Sequence, residues 1–65
     1  MRILVNGTER QIAAQELPAA LEELGYGGAV VATAVNGQFV PAGARAAARL
    51  REGDALEVLA PMQGG

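Results

Sequence analysis

The first residues of the chain alternate between the two faces of an extended strand. Residues 1–5 place three apolar side chains on one face and Leu4 with an arginine on the other, which predicts a half-buried strand. Asn6-Gly7 follows directly, and this pair favours a type I′ hairpin turn because both turn positions take a positive φ. We therefore expect residues 8–12 to return antiparallel as a polar edge strand.

Leucines at helical spacing follow this hairpin. Leu17, Leu21 and Leu24 recur on one helix face, which predicts an amphipathic helix of about two to three turns lying across the sheet. Gly25 fits the left-handed position that ends a helix, and Tyr26 then lies where it can contact Leu21. We interpret Tyr26 as this packing residue rather than as a reactive phenol.

The second half of the chain repeats the hairpin pattern. Residues 29–35 form an apolar run that predicts an interior strand, and Asn36-Gly37 turns it into a short strand over residues 38–40. Pro41 ends that strand because it lacks a backbone N–H. The alanine- and arginine-rich segment 42–49 is compatible with a helical turn or with an irregular crossing.

The last predicted strand leads into the end of the chain. Leu50 is expected in the core, and a glycine-containing turn follows it. Residues 54–60 then alternate, with Leu56 and Val58 on the face opposite Leu59.

The order of these elements indicates an α+β fold. A hairpin, a helix, a strand pair, a crossing and a final strand fit a mixed sheet with one main helix packed on one face and the first and last strands side by side. This is the β-grasp, or ubiquitin-like, architecture. The other face of the sheet stays open, and Leu4 and Leu59 are expected to form an apolar docking patch there. The alternative is that both are ordinary exposed leucines.

The chain ends in Pro61-Met62-Gln63-Gly64-Gly65. We expect residues 1–60 to form the domain and residues 61–65 to form a flexible tail that presents its terminal carboxyl group to a partner. Gly64 and Gly65 have no Cβ, so they can pass through a slot too narrow for side chains. Five extended residues span at most about 17 Å. The alternatives are a frayed chain end or a remnant of expression.

Composition excludes most classes of catalyst. The chain contains no Cys, His, Ser, Lys or Trp, which excludes thiolate and imidazole metal sites, Ser–His triads and catalytic lysines. Its seven carboxylates are spread singly except for Glu22-Glu23. We interpret them as a solvated surface rather than as a paired-carboxylate site.

Charge and hydropathy narrow the range of partners. A net charge of −2, the lack of a basic cluster and only two aromatic residues, Tyr26 and Phe39, argue against direct binding of nucleic acid. The sequence shows neither a signal peptide nor an apolar run long enough to span a membrane. We therefore expect a cytoplasmic chain that contacts neither nucleic acid nor membrane.

Four segments, taken in order, resemble one family. They are Met1-Arg2-Ile3-Leu4-Val5-Asn6-Gly7, Ala34-Val35-Asn36-Gly37-Gln38-Phe39-Val40-Pro41, Glu52-Gly53-Asp54 and the Gly-Gly ending. Across nearly all 65 residues the chain resembles the ThiS sulfur carriers of thiamine biosynthesis, relatives of the molybdopterin-synthase small subunits and of ubiquitin. It departs from the family pattern after Pro41, where Ala42 and an Ala-Arg run replace an arginine and a large aromatic residue.

The resemblance implies a sulfur carrier rather than an enzyme. An E1-like activating enzyme similar to ThiF would use ATP and Mg²⁺ to convert the terminal carboxyl group to an acyl-adenylate, and sulfur from a cysteine desulfurase would then replace AMP. The resulting thiocarboxylate would supply a ThiG-like thiazole synthase. By position, Gly65 would carry the sulfur and Gly64 would thread into the partner's active site. The implied docking contacts are Leu4, Leu59 and Met62, and the chain itself would bind no cofactor and no metal.

Other functions stay open on the sequence alone. A small subunit of molybdopterin synthase is a carrier of the same type, although Pro61-Met62-Gln63 before the glycines favours thiamine synthesis. A ubiquitin-like protein modifier would join Gly65 to lysines of target proteins. A plain β-grasp interaction module would not use its C-terminus at all.

Overall fold

The computed structural model describes residues 1–60 and, within them, shows five β-strands, one α-helix and one 3₁₀ helix. The strands are β1 (Arg2–Val5), β2 (Thr8–Gln11), β3 (Ala32–Val35), β4 (Gln38–Val40) and β5 (Ala55–Leu59). The α-helix, α1, spans Leu17–Glu23, and the 3₁₀ helix spans Ala42–Ala47. Neither helix of this described part has the length and apolar character that crossing a membrane requires. The predicted tail over residues 61–65 lies outside the described residues.

The sheet is mixed, and its last strand lies in the middle. The strand order is β2-β1-β5-β3-β4. β1 pairs with β2 and β3 pairs with β4 as antiparallel hairpins, as predicted. β5 lies between the hairpins, parallel to β1 and antiparallel to β3. The predicted neighbouring position of the first and last strands is thereby confirmed, and with it the β-grasp architecture.

The core lies between α1 and one face of the sheet. Helix and strands contribute alternating or helically spaced apolar residues to it, and the connecting segments add the rest. Its buried members are Ile3, Val5, Ile12, Leu17, Ala20, Leu21, Leu50, Leu56 and Val58. The predicted core position of Leu50 is confirmed, and Leu56 and Val58 share the face opposite the exposed Leu59, as predicted.

Both Asn-Gly pairs form the predicted turns. Asn6 and Asn36 each have a φ of 50°, and the glycines after them have φ values of 83° and 82°. Asn and Gly tolerate this left-handed region better than other residues do, and a type I′ turn requires it at both positions.

Helix α1 ends in the predicted way. Gly25 has a φ of 96°, and its N–H donates to the Glu22 carbonyl at 3.1 Å. The Tyr26 N–H donates to the Leu21 carbonyl at 2.8 Å. These are the two hydrogen bonds of a Schellman motif. Tyr26 is half-buried and packs against the core, so its packing role is confirmed.

The third strand is shorter than predicted. The strand expected from residue 29 begins only at Ala32, and Val30 is 80% exposed. The ladder with β5 ends at Ala32. The carbonyl of Val31 accepts a hydrogen bond from the guanidinium of Arg45, a side-chain donor in place of a strand partner.

The crossing segment takes the helical form of its two alternatives, a 3₁₀ helix over Ala42–Ala47. Arg45 lies within this helix and reaches the sheet, because its Nε donates to Thr33 Oγ1 at 3.0 Å and its terminal nitrogen donates to the Val31 carbonyl. Thr33 is 2% exposed and donates its own hydroxyl proton to the Val40 carbonyl at 2.8 Å. One arginine therefore satisfies a buried polar side chain and holds the crossing against β3.

Glu23 has a structural contact that the interpretation of its carboxylate as solvated surface did not anticipate. Its carboxylate accepts the N–H of Ala13 at 2.9 and 3.1 Å and the N–H of Ala14 at 3.0 Å. These two backbone donors, that of Ala13 first, hold the pKa of Glu23 below its ordinary value. Glu23 on α1 thus fastens the loop that joins β2 to the helix.

Leu50→Ala is expected to lower the free energy of unfolding by about 2–5 kcal/mol, because it leaves a cavity in the core. Urea denaturation followed by circular dichroism measures this loss. Leu59→Ala removes the same side chain at a position that is 68% exposed. It is the matched control and should change the free energy by less than about 0.5 kcal/mol. Similar losses in both variants would contradict the assigned burial.

Glu23→Gln is expected to lower the thermal unfolding midpoint at neutral pH, since a neutral amide oxygen accepts the loop N–H groups less strongly than a carboxylate does. The folded pKa of Glu23 lies below its ordinary value of 4.5. The charged group therefore stabilises the fold above pH 4.5, and this contribution is lost as the pH falls through the folded pKa. The difference in thermal unfolding midpoint between Glu23→Gln and wild type should therefore disappear at acid pH.

Thermal scans across this pH range measure the difference. Glu22→Gln removes one charge from the same helix without removing the loop contact, and so controls for charge alone. A difference for Glu23→Gln that is the same at neutral and acid pH would contradict the assignment.

Candidate functional site

The candidate site is the end of β5 together with the open face of the sheet beside it. β5 ends at Leu59, and Ala60 after it is exposed. Gly64 and Gly65, predicted to carry the chemistry, and Met62, predicted to contact a partner, lie outside the described residues. The structure does place the strand that precedes them in sequence, β5, which is the central strand of the sheet.

On the β1 side of β5, the side chain of Asn6 extends the ladder. The Asn6 N–H donates to the Leu56 carbonyl at 2.9 Å, after which the chain turns away from β5. The Asn6 Nδ2 then donates to the Val58 carbonyl at 3.1 Å, and Oδ1 accepts the Val58 N–H at 2.8 Å. A side-chain amide offers the same donor and acceptor as a peptide group. It therefore pairs with Val58 after the backbone of β1 has turned away.

On the β3 side, Asn36 does the same at the start of β5. Its N–H donates to the Ala55 carbonyl at 2.8 Å, and its Oδ1 accepts the Ala55 N–H at 2.9 Å. Its Nδ2 donates to Asp54 Oδ1 at 3.0 Å. The two turn asparagines, Asn6 and Asn36, thus bind opposite ends of one strand. The sequence pattern indicated both asparagines only as turn formers.

Phe39 and Leu59 form an apolar patch on the open face. Each is 68% exposed, and together with Ala32 and Ala34 they line a depression of about 110 Å³. The register explains their proximity, because Ala34 lies opposite Phe39 and Ala32 lies opposite Leu59. We name these four residues the Phe39–Leu59 patch. Glu57 borders it.

Leu4 is exposed on the same face but stands apart from Leu59. It pairs with the first residue of β5, whereas Leu59 is the last, so the two leucines are separated by about 13 Å along the strand. Leu4 borders a different depression, beside an exposed ion pair in which Arg2 Nε lies 3.2 Å from Glu9 Oε2. The structure therefore does not join Leu4 and Leu59 into the single patch that the sequence suggested.

Phe39 is the large apolar residue of the patch that the sequence pattern did not indicate. The available signal was the alternation of the short strand β4, which places Phe39 on the face opposite Val40. Its proximity to Leu59 depends on the pairing of β3 with β5, two strands that are distant in sequence. No local sequence pattern predicts that pairing.

A further depression of about 300 Å³ lies on the helix side of the sheet. Glu22, Tyr26 and Arg45 are among its lining residues. The Arg45 guanidinium is already bonded to the Val31 carbonyl and to Thr33, so it holds the fold together rather than facing a ligand. Within residues 1–60, acidic side chains do not gather in a group that could hold a metal ion. The depression is therefore not part of the candidate site.

Comparison with known proteins places this geometry in a family. The model of the ThiS family matches residues 3–65, a span that includes both terminal glycines. The chain is also similar to the crystal structure of a thiamine biosynthesis protein (ThiS) from Geobacter metallireducens, with 29% sequence identity, a TM-score of 0.84 and coverage of 100% of each chain. Among curated proteins, the comparison found no match. The family match over nearly the whole length shows that the chain belongs to the ThiS family.

Proposed function

We propose that this chain carries sulfur on the carboxyl group of Gly65 for the synthesis of the thiazole of thiamine. The observation that carries the proposal is the ThiS family match, which runs through Gly64 and Gly65. It is supported by a fold in which the central strand leads directly into that segment. As a member of the ThiS family the chain is a small sulfur carrier rather than a catalyst.

The chemistry begins with activation of an unreactive group. An α-carboxyl group, with a usual pKa of about 3.3–3.7, is ionised at neutral pH and is a poor electrophile. In the proposed first step a carboxylate oxygen of Gly65 attacks the α-phosphorus of ATP, pyrophosphate leaves, and an acyl-adenylate forms. A sulfur nucleophile at the oxidation level of hydrosulfide then attacks the acyl carbon and AMP leaves. The thiocarboxylate that remains carries a better nucleophile than the oxygen it replaced.

The catalytic groups belong to partners. We assign activation to a ThiF-like E1 enzyme that holds the ATP and Mg²⁺, and sulfur use to a ThiG-like thiazole synthase. Sulfur supply is assigned to a cysteine desulfurase or another donor. Persulfide sulfur from a desulfurase is brought to the hydrosulfide level by a thiol reductant, which is itself oxidised to a disulfide. This chain supplies the reacting carboxyl group and binds no cofactor of its own. We propose that the chain acts in the cytoplasm, where the ATP that its activation consumes is available.

The position of the Phe39–Leu59 patch supports its use in docking. Leu59 is both a patch member and the last residue of β5, so a partner that covers the patch lies beside the point where the C-terminal segment departs. The six residues after Leu59 reach at most about 20 Å. Leu4 and Met62 keep their proposed roles as further docking contacts, Leu4 at its own separate position on the open face.

Incubation with ATP, Mg²⁺, a ThiF-like enzyme and a sulfur donor is expected to exchange one oxygen of Gly65 for sulfur. Intact-mass spectrometry detects the exchange, and fragmentation of the C-terminal peptide locates it. A chain that lacks Gly64 and Gly65 keeps residues 1–60 and is the matched control, which should gain no sulfur. An unchanged wild-type mass, or attachment of the chain to lysines of other proteins instead, would contradict the proposal.

Leu59→Arg is expected to raise the KM of the activating enzyme for the chain by about tenfold or more, because it removes an apolar contact of roughly 1.5–3 kcal/mol and adds a charge to the patch. Steady-state charging assays measure it. Gln38→Arg adds the same charge beside Phe39 in sequence but on the opposite face, since Gln38 pairs with the core-facing Val35. It should leave KM unchanged.

Leu4→Arg tests the second proposed contact separately. Because Leu4 and Leu59 lie about 13 Å apart, their effects on the free energy of binding should add when both are replaced.

Equal KM values for Leu59→Arg and Gln38→Arg would contradict the proposal that the Phe39–Leu59 patch is a docking surface.

A further inference from the structure

Asn6 makes more contacts than its turn requires. Its φ of 50° needs a residue that tolerates the left-handed region, and glycine meets that need equally well. The two hydrogen bonds from its side chain to Val58 are additional. We propose that Asn6 is a positioning residue for the charging of Gly65, because it fixes the point at which the C-terminal segment leaves the domain. This inference rests on the proposed function.

On the β1 side of β5, Val58 pairs with a side chain and not with backbone. The backbone ladder between β1 and β5 extends only to the pair of Val5 with Leu56. On the other side of the strand, Thr33 of β3 still pairs with Val58. The Asn6 amide supplies the hydrogen bonds on the β1 side at 2.8 and 3.1 Å, so pairing on both sides of Val58 is complete only with Asn6 in place.

The pairing of β5 up to Leu59 limits the number of unpaired residues that precede Gly65. While β5 is paired through Leu59, six residues separate the sheet from the end of the chain. Each residue that leaves the sheet lengthens this tether and adds conformations that are lost when the segment enters an active site. The effective concentration of the carboxyl group at the reacting centre then falls. Leu59 is the first residue to leave and is itself a member of the Phe39–Leu59 patch, so docking also weakens. We therefore expect kcat to fall by a larger factor than KM rises.

Asn36 offers a matched comparison within the same molecule. It has the same φ, precedes a glycine in the same way, and also makes two side-chain hydrogen bonds at β5. Those bonds hold Ala55 and Asp54, at the end of the strand remote from Gly65. Substitution of either asparagine by glycine keeps the turn and removes only the side-chain bonds.

The experiment compares full-length wild type, Asn6→Gly and Asn36→Gly. Charging by a ThiF-like enzyme with ATP, Mg²⁺ and a sulfur donor gives kcat and KM for the chain, and hydrogen exchange followed by NMR reports individual amides. Asn6→Gly should speed exchange of the Val58 amide and lower kcat by about fivefold, with a smaller rise in KM. Asn36→Gly should speed exchange of the Ala55 amide and leave both constants unchanged.

Asn6→Asp supplies a conservative variant. It keeps the oxygen that accepts the Val58 N–H but loses the Nδ2 donor, so its kcat should lie between those of wild type and Asn6→Gly. Circular dichroism checks that each variant is folded. If a glycine variant is not folded, the comparison is made between Asn6→Asp and Asn36→Asp.

The outcomes separate this inference from the function on which it rests. Equal kcat values for the Asn6 and Asn36 variants, or a loss confined to KM, overturn the positioning role and leave the proposed function standing. A wild-type chain that gains no sulfur overturns the proposed function and the positioning role together, whatever the exchange rate of the Val58 amide. A selective loss of kcat in the Asn6 variants supports both.

Discussion

Hydrogen bonding along both edges of β5 is the interaction on which the rest of the structure depends. Without β5, the molecule would consist of two separate hairpins, because β1 and β3 each pair with β5 and not with one another. With β5 in place they become one sheet, and its core face carries Leu56 and Val58 at the centre of the surface that α1 covers. Backbone pairing alone covers only part of the strand. The turn asparagines complete it at both ends.

The same strand connects the fold to the proposed chemistry. A central strand is hydrogen-bonded to a neighbouring strand on each side, so its last residue has a defined position. The Phe39–Leu59 patch lies at that strand end. A partner that covers this patch would therefore also lie beside Leu59, the last residue of β5.

Local patterns predicted much of the fold, and long-range pairing accounts for what they missed. Alternation, the Asn-Gly pairs and the glycine that ends α1 each act within a few residues, and the elements they predicted are present. The late start of β3 depends on where β5 ends and on Arg45, which no pattern in residues 29–35 reports. The contact of Asn6 with Val58 spans 52 positions. The proximity of Phe39 to Leu59 likewise follows from the register of three strands, β4, β3 and β5.

The central position of β5 also has a consequence for biosynthesis. A ribosome releases this strand after all the others, so the N-terminal hairpin and the second hairpin emerge with nothing to join them. The sheet closes only once the final strand is free of the exit tunnel. A polypeptide terminated before Ala55 would lack the strand that unites the domain. Such a product has no closed core and is therefore exposed to proteolysis.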